Sequence, residues 1–167
     1  MRIVVSDTSC LIDLRKTDLL EAFVKLPYEI LVPDVLFDEE LVKFSDRHKS
    51  FLLENNVKIA EVENVQRVVD VQGKNPSLTV NDCFAFVLAE THKGCILLTG
   101  DKDLRIYAES VQIDVHGVLW VIDEIYRSNL AYPKALYEAL LVFDKDETVH
   151  LPDRILQHYI RKYKALL

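Results

Sequence analysis

The chain of 167 residues has few of the features that mark secreted, membrane-bound or disulfide-rich proteins. Its three cysteines, Cys10, Cys83 and Cys95, are odd in number, lie in apolar segments and form no C-x-x-C motif, so neither a disulfide framework nor a cysteine zinc site is expected. The segment MRIVVSDTSC reaches an acid after three apolar residues and does not resemble a signal peptide. No apolar segment approaches the roughly 20 residues that a membrane span requires. These absences predict a soluble, cytoplasmic protein.

Several classes of enzyme are also disfavoured because their motifs are missing. The five histidines form neither an H-x-x-x-H nor an H-E-x-x-H pattern, which argues against a zinc enzyme. No G-x-S-x-G, Walker loop or G-x-G-x-x-G motif occurs, which argues against serine hydrolases and against ATP or NAD binding. The net charge of −7 argues against a broad positive surface for duplex DNA. Nucleic acid binding remains compatible with this charge, because bound divalent cations can supply the positive charge that a phosphate needs.

The residues that are present are those of a globular domain with regular secondary structure. Half of the chain (50%) is hydrophobic and 28% is charged, while only 4 glycines and 5 prolines occur. Short apolar runs that are typical of buried strands alternate with helical patterns. We predict strands at 3–5, 29–32, 57–62, 95–99 and 111–115. This alternation favours an α/β fold with a mainly parallel sheet.

Helices are predicted on both faces of this sheet, and a helix-only segment follows the last strand. The predicted helices lie around residues 11–14, 18–25, 33–44, 47–54, 79–92, 102–110, 118–128, 133–143 and 152–166. The clearest predicted loop is Gln72–Pro76, where a glycine and a proline stand close together. We expect one domain over residues 1–167, with a core of about 1–116 and a helical C-terminal extension of about 117–167.

Two acids follow predicted buried strands directly. Asp7 follows the first strand, and Asp101 follows the strand at 95–99. Sites in open parallel sheets form beyond the carboxyl ends of the strands. If these strands are neighbours, about 4.8 Å apart, both carboxylates face one site. Each acid also precedes a helix, so a simple helix N-cap is the alternative interpretation.

Two further positions add acids to this candidate site. Asp82 opens a helix that is apolar on every side, so its carboxylate is expected to point inward, although the spacing from Thr79 also matches a capping box. On the helix that follows Pro33, the candidate is Glu39 or Glu40. Helical phase slightly favours Glu40, because it aligns with more apolar residues, but periodicity alone leaves both open.

Acids that converge in this way repel each other unless a cation neutralises them. Carboxylate oxygens are hard ligands that suit Mg²⁺ or Mn²⁺. Such ions bind phosphate oxygens, activate a water molecule and stabilise charge on the leaving oxygen. The pattern of acids therefore predicts phosphodiester cleavage or another phosphoryl transfer that is assisted by a metal ion.

The segments around these acids resemble those of the PIN-domain family, metal-dependent ribonucleases that include the toxins of many bacterial toxin–antitoxin pairs. The resemblance covers roughly residues 3–115 and rests on four motifs: VVSDTSCLIDL around Asp7, VPDVLFDEEL around Glu39, TVNDCFAFVLAE around Asp82 and LLTGDKDLRIYA around Asp101. It implies a three-layer fold with a parallel sheet, one or two Mg²⁺ or Mn²⁺ ions and hydrolysis of single-stranded RNA. The tail after Gly117 is longer than a compact PIN domain requires.

The resemblance also implies roles for individual residues. The family spacing selects Glu39 over Glu40, so the expected catalytic residues are Asp7, Glu39, Asp82 and Asp101. The expected metal ligands, directly or through water, are Asp7, Asp82 and Asp101. Asp103 and Ser9 match auxiliary positions, and Thr99 matches a small hydroxyl residue near the site. The partners that the resemblance implies are RNA, a small antitoxin protein and a second copy of the chain.

Two alternatives to a ribonuclease remain open from the sequence. One is a PIN-like interaction module without catalytic activity. The other is a phosphohydrolase with an aspartyl nucleophile at Asp7, which fits poorly because Ser9 stands where such enzymes carry a second acid.

Overall fold

The computed structural model describes all residues, 1–167, and contains five strands and ten helices. The strands are β1 (Arg2–Ser6), β2 (Tyr28–Pro33), β3 (Val57–Ala60), β4 (Ile96–Leu98) and β5 (Asp114–His116). The helices are α1 (Thr8–Arg15), α2 (Leu20–Val24), α3 (Asp34–Glu40), α4 (Asp46–Glu54), α5 (Val65–Lys74), α6 (Val80–Thr91), α7 (Lys102–Ser110), α8 (Val118–Arg127), α9 (Pro133–Lys145) and α10 (Asp153–Lys164). The predicted alternation of strands and helices is confirmed.

All five strands are parallel, in the order β3-β2-β1-β4-β5. The chain proceeds from β1 to one side of the sheet and returns to the other side with β4, so the direction of winding reverses between β1 and β4. In open parallel sheets, a crevice for ligands forms at the carboxyl ends of the strands at such a reversal. Helices pack against this sheet in the three-layer α/β arrangement that was expected of a PIN-like fold.

The C-terminal helices share the hydrophobic core of the sheet region. One cluster of 49 buried hydrophobic residues includes Val4 and Val5 of β1 as well as Ile122 of α8, Leu140 of α9 and Tyr163 of α10. Because removal of such residues from water is the main favourable contribution to folding, these helices are expected to stabilise the sheet. None of the ten helices combines the length and the apolar character that a membrane span needs.

Several predicted boundaries differ from the structure. The predicted loop at Gln72–Pro76 is wrong for its first three residues, because Gln72, Gly73 and Lys74 form the last turn of α5, and the loop begins only at Asn75. Asn64 caps this helix by accepting a hydrogen bond from the N–H of Arg67 at 3.0 Å, and its apolar face is buried. The packing of that face outweighs the low helix propensity of one terminal glycine. Helix α3 is also shorter than predicted and ends at Glu40.

Candidate active site at the carboxyl edge of the sheet

The strands that precede Asp7 and Asp101 are neighbours, as the sequence analysis required for a shared site. Ser6 pairs with Leu98, and the N–H of Asp7 donates to the carbonyl oxygen of Leu98 at 2.8 Å. The two chain segments that leave β1 and β4 therefore begin side by side, at the point where the winding of the sheet reverses.

Thr99 connects the two segments through its hydroxyl group. Its Oγ1 donates to Asp7 Oδ2 at 2.8 Å and accepts the N–H of Asp101 at 3.1 Å. Ser9 forms a second link, since its Oγ donates to Asp7 Oδ2 at 3.3 Å and accepts the N–H of Gly100 at 3.1 Å. Both hydroxyl groups thus fix the carboxylate of Asp7 relative to the segment after β4.

Asp7 is the most buried acid of this region, with an exposed fraction of 6%. Its pKa is raised to about 6, chiefly by burial and also by the charges of Glu40 and Asp82, although hydrogen bonds from Thr99 and from the N–H of Thr8 partly oppose the rise. No lysine or arginine is among these main influences. Asp7 is also in none of the ion pairs of the structure, so no lysine or arginine contacts its carboxylate directly.

Asp82 lies at the start of α6 and faces the same region. It forms a capping box with Thr79: its Oδ2 accepts the N–H of Thr79 at 2.9 Å, and its N–H donates to Thr79 Oγ1 at 3.1 Å. Burial raises the pKa of Asp82, the capping bonds lower it, and the charges of Asp101 and Asp103 raise it again. Asp82 is therefore coupled electrostatically to Asp7 on one side and to Asp101 on the other.

Asp101 is the N-cap of α7 and accepts the N–H of Leu104 on its Oδ1 at 2.8 Å. It is half-buried, whereas Asp103 in the first turn of the same helix is exposed. The N-cap interpretation is confirmed for Asp7 and Asp101, and the capping box for Asp82. These capping bonds also orient the carboxylates, because the backbone groups hold one oxygen of each in a defined position.

The fourth acid of the site is Glu40, which lies beside Asp7. Thr8 Oγ1 donates to Glu40 Oε2 at 2.8 Å, and the charge of Glu40 raises the pKa of Asp7. Glu39, which the family spacing selected, is exposed on α3. Of the two glutamates, the structure therefore places Glu40, and not Glu39, beside Asp7.

The reason lies in the helical phase of α3. Glu40 is its last residue and follows buried Leu36 and Phe37 by four and three positions, so its side chain projects from the face that packs on the domain. Thr8, which holds this carboxylate, was missed by the sequence analysis. The only signal for it was its place directly after Asp7 at the end of a buried strand.

We call Asp7, Glu40, Asp82 and Asp101 together the acidic edge. Its oxygen donors have the chemistry that Mg²⁺ and Mn²⁺ prefer. No three His, Cys, Asp or Glu side chains stand in an arrangement that could hold a metal ion on their own. Mg²⁺ commonly binds through one or two carboxylates and keeps several waters, so the uncompensated charge at Asp7 fits such an ion without a cage of protein ligands.

A family model described as a PIN domain matches residues 3–165, so the matched region includes the C-terminal helices as well as the sheet. No curated protein matches the chain. With nearly the whole chain matched, this protein belongs to the PIN-domain family.

Proposed function

We propose that this protein is an endoribonuclease that cleaves single-stranded RNA with the help of Mg²⁺ or Mn²⁺. PIN domains are generally nucleases, and they typically use divalent metal ions. The observation that supports the proposal most directly is the state of Asp7, a buried carboxylate whose pKa is raised to about 6 by burial and by two neighbouring acids. A bound divalent cation would balance the charge of these acids and that of an RNA phosphodiester.

The residues of the acidic edge have distinct roles in this proposal. Asp7, Asp82 and Asp101 hold the metal ion directly or through water, and Glu40, in place of Glu39, completes the set or accepts a proton from the attacking water. A divalent ion at this edge would supply Lewis acidity, both for the attacking water and for the charge on the leaving oxygen. Thr99 and Ser9 keep the carboxylate of Asp7 in position through the hydrogen bonds described above.

Asp103 has an auxiliary role in the proposal, since its charge contributes to the raised pKa of Asp82. The resemblance to toxins extends the proposal to a cytoplasmic enzyme that is held inactive by a small antitoxin, and to a homodimer. A short reading frame with a DNA-binding pattern beside the gene would support the antitoxin. Light scattering of the purified chain tests the dimer.

The central test measures cleavage of a labelled single-stranded RNA by the purified chain, with Mn²⁺, with Mg²⁺ and with EDTA. We expect cleavage only with a divalent ion, and we expect Asp82→Asn to abolish it while the circular dichroism spectrum stays unchanged. The matched control is Asp38→Asn, which removes an exposed acid of α3. Undiminished cleavage by Asp82→Asn would contradict the proposed site.

The alternative, a PIN-like interaction module, predicts a different result in the same experiment. The chain would show no cleavage after stringent purification and no binding of Mn²⁺ in calorimetry. A phosphoryl group trapped on Asp7 would instead support the phosphohydrolase. The interaction module is therefore distinguished from the ribonuclease by the absence of both cleavage and Mn²⁺ binding. The phosphohydrolase is distinguished by the phosphoryl group on Asp7.

A further inference from the structure

A second region of the chain, away from the acidic edge, combines a pocket with positive side chains. The pocket has a volume of about 560 Å³ and lies between the end of α1, the start of α2 and the start of α4. Arg15, Arg47 and His48 line it, together with the hydroxyl residues Thr17 and Ser45. We call this the cationic pocket. Two arginines without an acidic partner in one pocket are unexpected in a chain with a net charge of −7.

The two arginines of the cationic pocket have no acidic partner. Neither guanidinium is in an ion pair, and Arg15 Nε is buried without any hydrogen-bond partner. The Arg15 guanidinium lies over the ring of Phe44, 5.4 Å from its centroid, which fixes it in place. The two terminal nitrogens of this guanidinium are not buried and make no hydrogen bond, so they are free to donate to an anion in the pocket.

The start of α4 adds partial positive charge on another side of the pocket. Ser45 is the N-cap and accepts the N–H of His48 at 3.1 Å, and the first turn of this nine-residue helix begins there. Free N–H groups and the helix dipole favour an anion at such a position. Here the helix end adds to side-chain cations that already converge on the pocket.

Acids near the pocket reduce its positive charge only in part. Glu21 also lines it, but its carboxylate pairs with Lys25 at 2.7 Å. Asp18 lines it as well and is exposed, as is Asp46 in the first turn of α4. Exposed charges of either sign, that of Arg47 included, are screened by water and salt, so the half-buried Arg15 provides the stronger attraction for an anion. Arg47 contributes through direct hydrogen bonds to the anion rather than through its charge at a distance.

Two segments of the chain lead from the acidic edge to the cationic pocket. Helix α1 starts directly after Asp7 and ends at Arg15, which at 1.5 Å per residue is about 12 Å further along. Glu40 of the acidic edge is followed five residues later by Ser45 of the pocket. The two sites are thus separated by a distance that a few nucleotides of one strand can span.

We propose that the cationic pocket binds a backbone phosphate of the RNA strand that occupies the acidic edge. This inference rests on the proposed function and specifies how the substrate is held. The guanidinium of arginine matches a phosphate in geometry and donates two parallel hydrogen bonds. Because the acidic edge repels a bare polyanion, a separate site for a neighbouring phosphate fixes the strand without the metal ion.

The test measures RNA binding rather than cleavage. The Asp7→Asn chain, which leaves the RNA intact, is titrated into a labelled single-stranded oligonucleotide and into a dinucleotide, and fluorescence anisotropy is recorded over a range of salt concentrations. We expect a further Arg47→Gln change to weaken binding of the oligonucleotide about tenfold and to leave the dinucleotide unaffected. The slope of log K against log salt becomes shallower by about 0.7, which corresponds to one lost phosphate contact.

Two control variants separate this effect from general loss of charge or structure. Arg154→Gln removes an exposed arginine of α10, outside the pocket, and is expected to bind like the parent. Arg47→Lys keeps the charge without the bidentate geometry, so an intermediate affinity is expected. Arg47 is exposed, and thermal unfolding of the Arg47→Gln chain should therefore match that of the parent.

Three results would overturn the inference. One is that Arg47→Gln weakens binding of the oligonucleotide and of the dinucleotide equally, or that Arg154→Gln weakens binding of the oligonucleotide as much as Arg47→Gln does. Another is calorimetric binding of inorganic phosphate that depends on Arg47 while RNA binding does not, which would assign the pocket to a free phosphate. A third is binding of an acidic peptide but not RNA. A chain that binds RNA through Arg47 but does not cleave it would contradict the proposed nuclease while leaving the pocket intact.

Discussion

Two aspartates, buried Asp7 and half-buried Asp123, differ in what balances their charge. Asp123 of α8 is 16% exposed and accepts hydrogen bonds from Tyr159 at 3.0 Å, Tyr163 at 2.6 Å and Lys162 at 2.8 Å. Burial would raise its pKa, but these bonds together lower it. At Asp7, burial and two acids raise the pKa to about 6, and the main influences include no cation. The fold provides a counter-charge for one carboxylate and leaves the other for an external ion.

This difference separates a structural acid from a functional candidate. The partners of Asp123 all come from α10, so its hydrogen bonds attach the C-terminal helix to α8. The partners of Asp7 are hydroxyl and amide groups that orient the carboxylate without neutralising it. Oriented acids without a counter-charge are the arrangement that divalent cations bind.

The largest expected effect is on the rate of RNA cleavage, which should depend on Asp7 and not on Asp123. Asp7→Asn should lower the rate of RNA cleavage about 10³-fold, since it removes the central charge of the acidic edge. It should not lower the free energy of unfolding at neutral pH, because it also removes repulsion from Glu40 and Asp82. Single-turnover cleavage and urea denaturation check both statements. If Asp7→Asn lost activity only because the chain unfolds, Asp7 would be a structural acid like Asp123.

The second prediction concerns stability. Asp123→Ala leaves Lys162 and two tyrosine hydroxyl groups without their partner, which should lower the free energy of unfolding by about 3 to 4 kcal/mol. For a chain of this size, the melting temperature should fall by about 10 °C. Cleavage per folded molecule should be unchanged. The matched control is Glu138→Ala, which removes an exposed acid of α9. An equal loss of stability in this variant would show that Asp123 has no special structural role.

The third prediction concerns pH. Asp7 binds its proton more tightly in the folded chain, with a pKa of about 6 against an ordinary value of 3.8. Its contribution to stability is therefore complete below pH of about 4 and is lost as the pH rises through about 6, a loss of about 3 kcal/mol for a shift of about two pKa units. Denaturation of the parent and of Asp7→Asn between these pH values should show this difference in slope. Parallel curves would contradict the raised pKa.

A divalent ion should reverse this loss. Above pH of about 6, Mn²⁺ at about 100 times its dissociation constant should stabilise the parent by about 2.7 kcal/mol, and Asp7→Asn by much less. A thermal shift measured with and without Mn²⁺ checks this expectation. Equal shifts in both chains would place the binding site elsewhere.

The smallest expected effect is a difference in cleavage rate between variants of the neighbouring residues Glu39 and Glu40. Glu40→Gln should lower the cleavage rate about 10- to 100-fold, because it changes a group that lies beside Asp7 and is held by Thr8. Glu39→Gln should leave the rate unchanged, since that side chain is exposed. If Glu39→Gln lowered the rate more than Glu40→Gln, the residue that acts in the site would be Glu39, as the family spacing indicates.

Much of the fold was predictable because its signals are local. The apolar run 3–5 lies within β1, and the run 95–99 contains β4. Thr79 and Asp82 form the capping box that their spacing indicated. Helix α5 was not predicted, because the burial of Val68 and Val71 depends on neighbouring elements, and the glycine at its end resembles a loop signal. Propensity is a weak guide wherever packing decides the outcome.

The sequence by itself determined the alternation of strands and helices and the acids that end them, since burial and capping depend on residues close together in the chain. Only the tertiary structure decided that β1 and β4 are neighbours, and that Thr8 holds Glu40 and not Glu39. It also decided that Asp123 finds its cation on α10 while Asp7 finds none. Charge balance is set by distances across the folded molecule, and spacing along the sequence does not contain those distances.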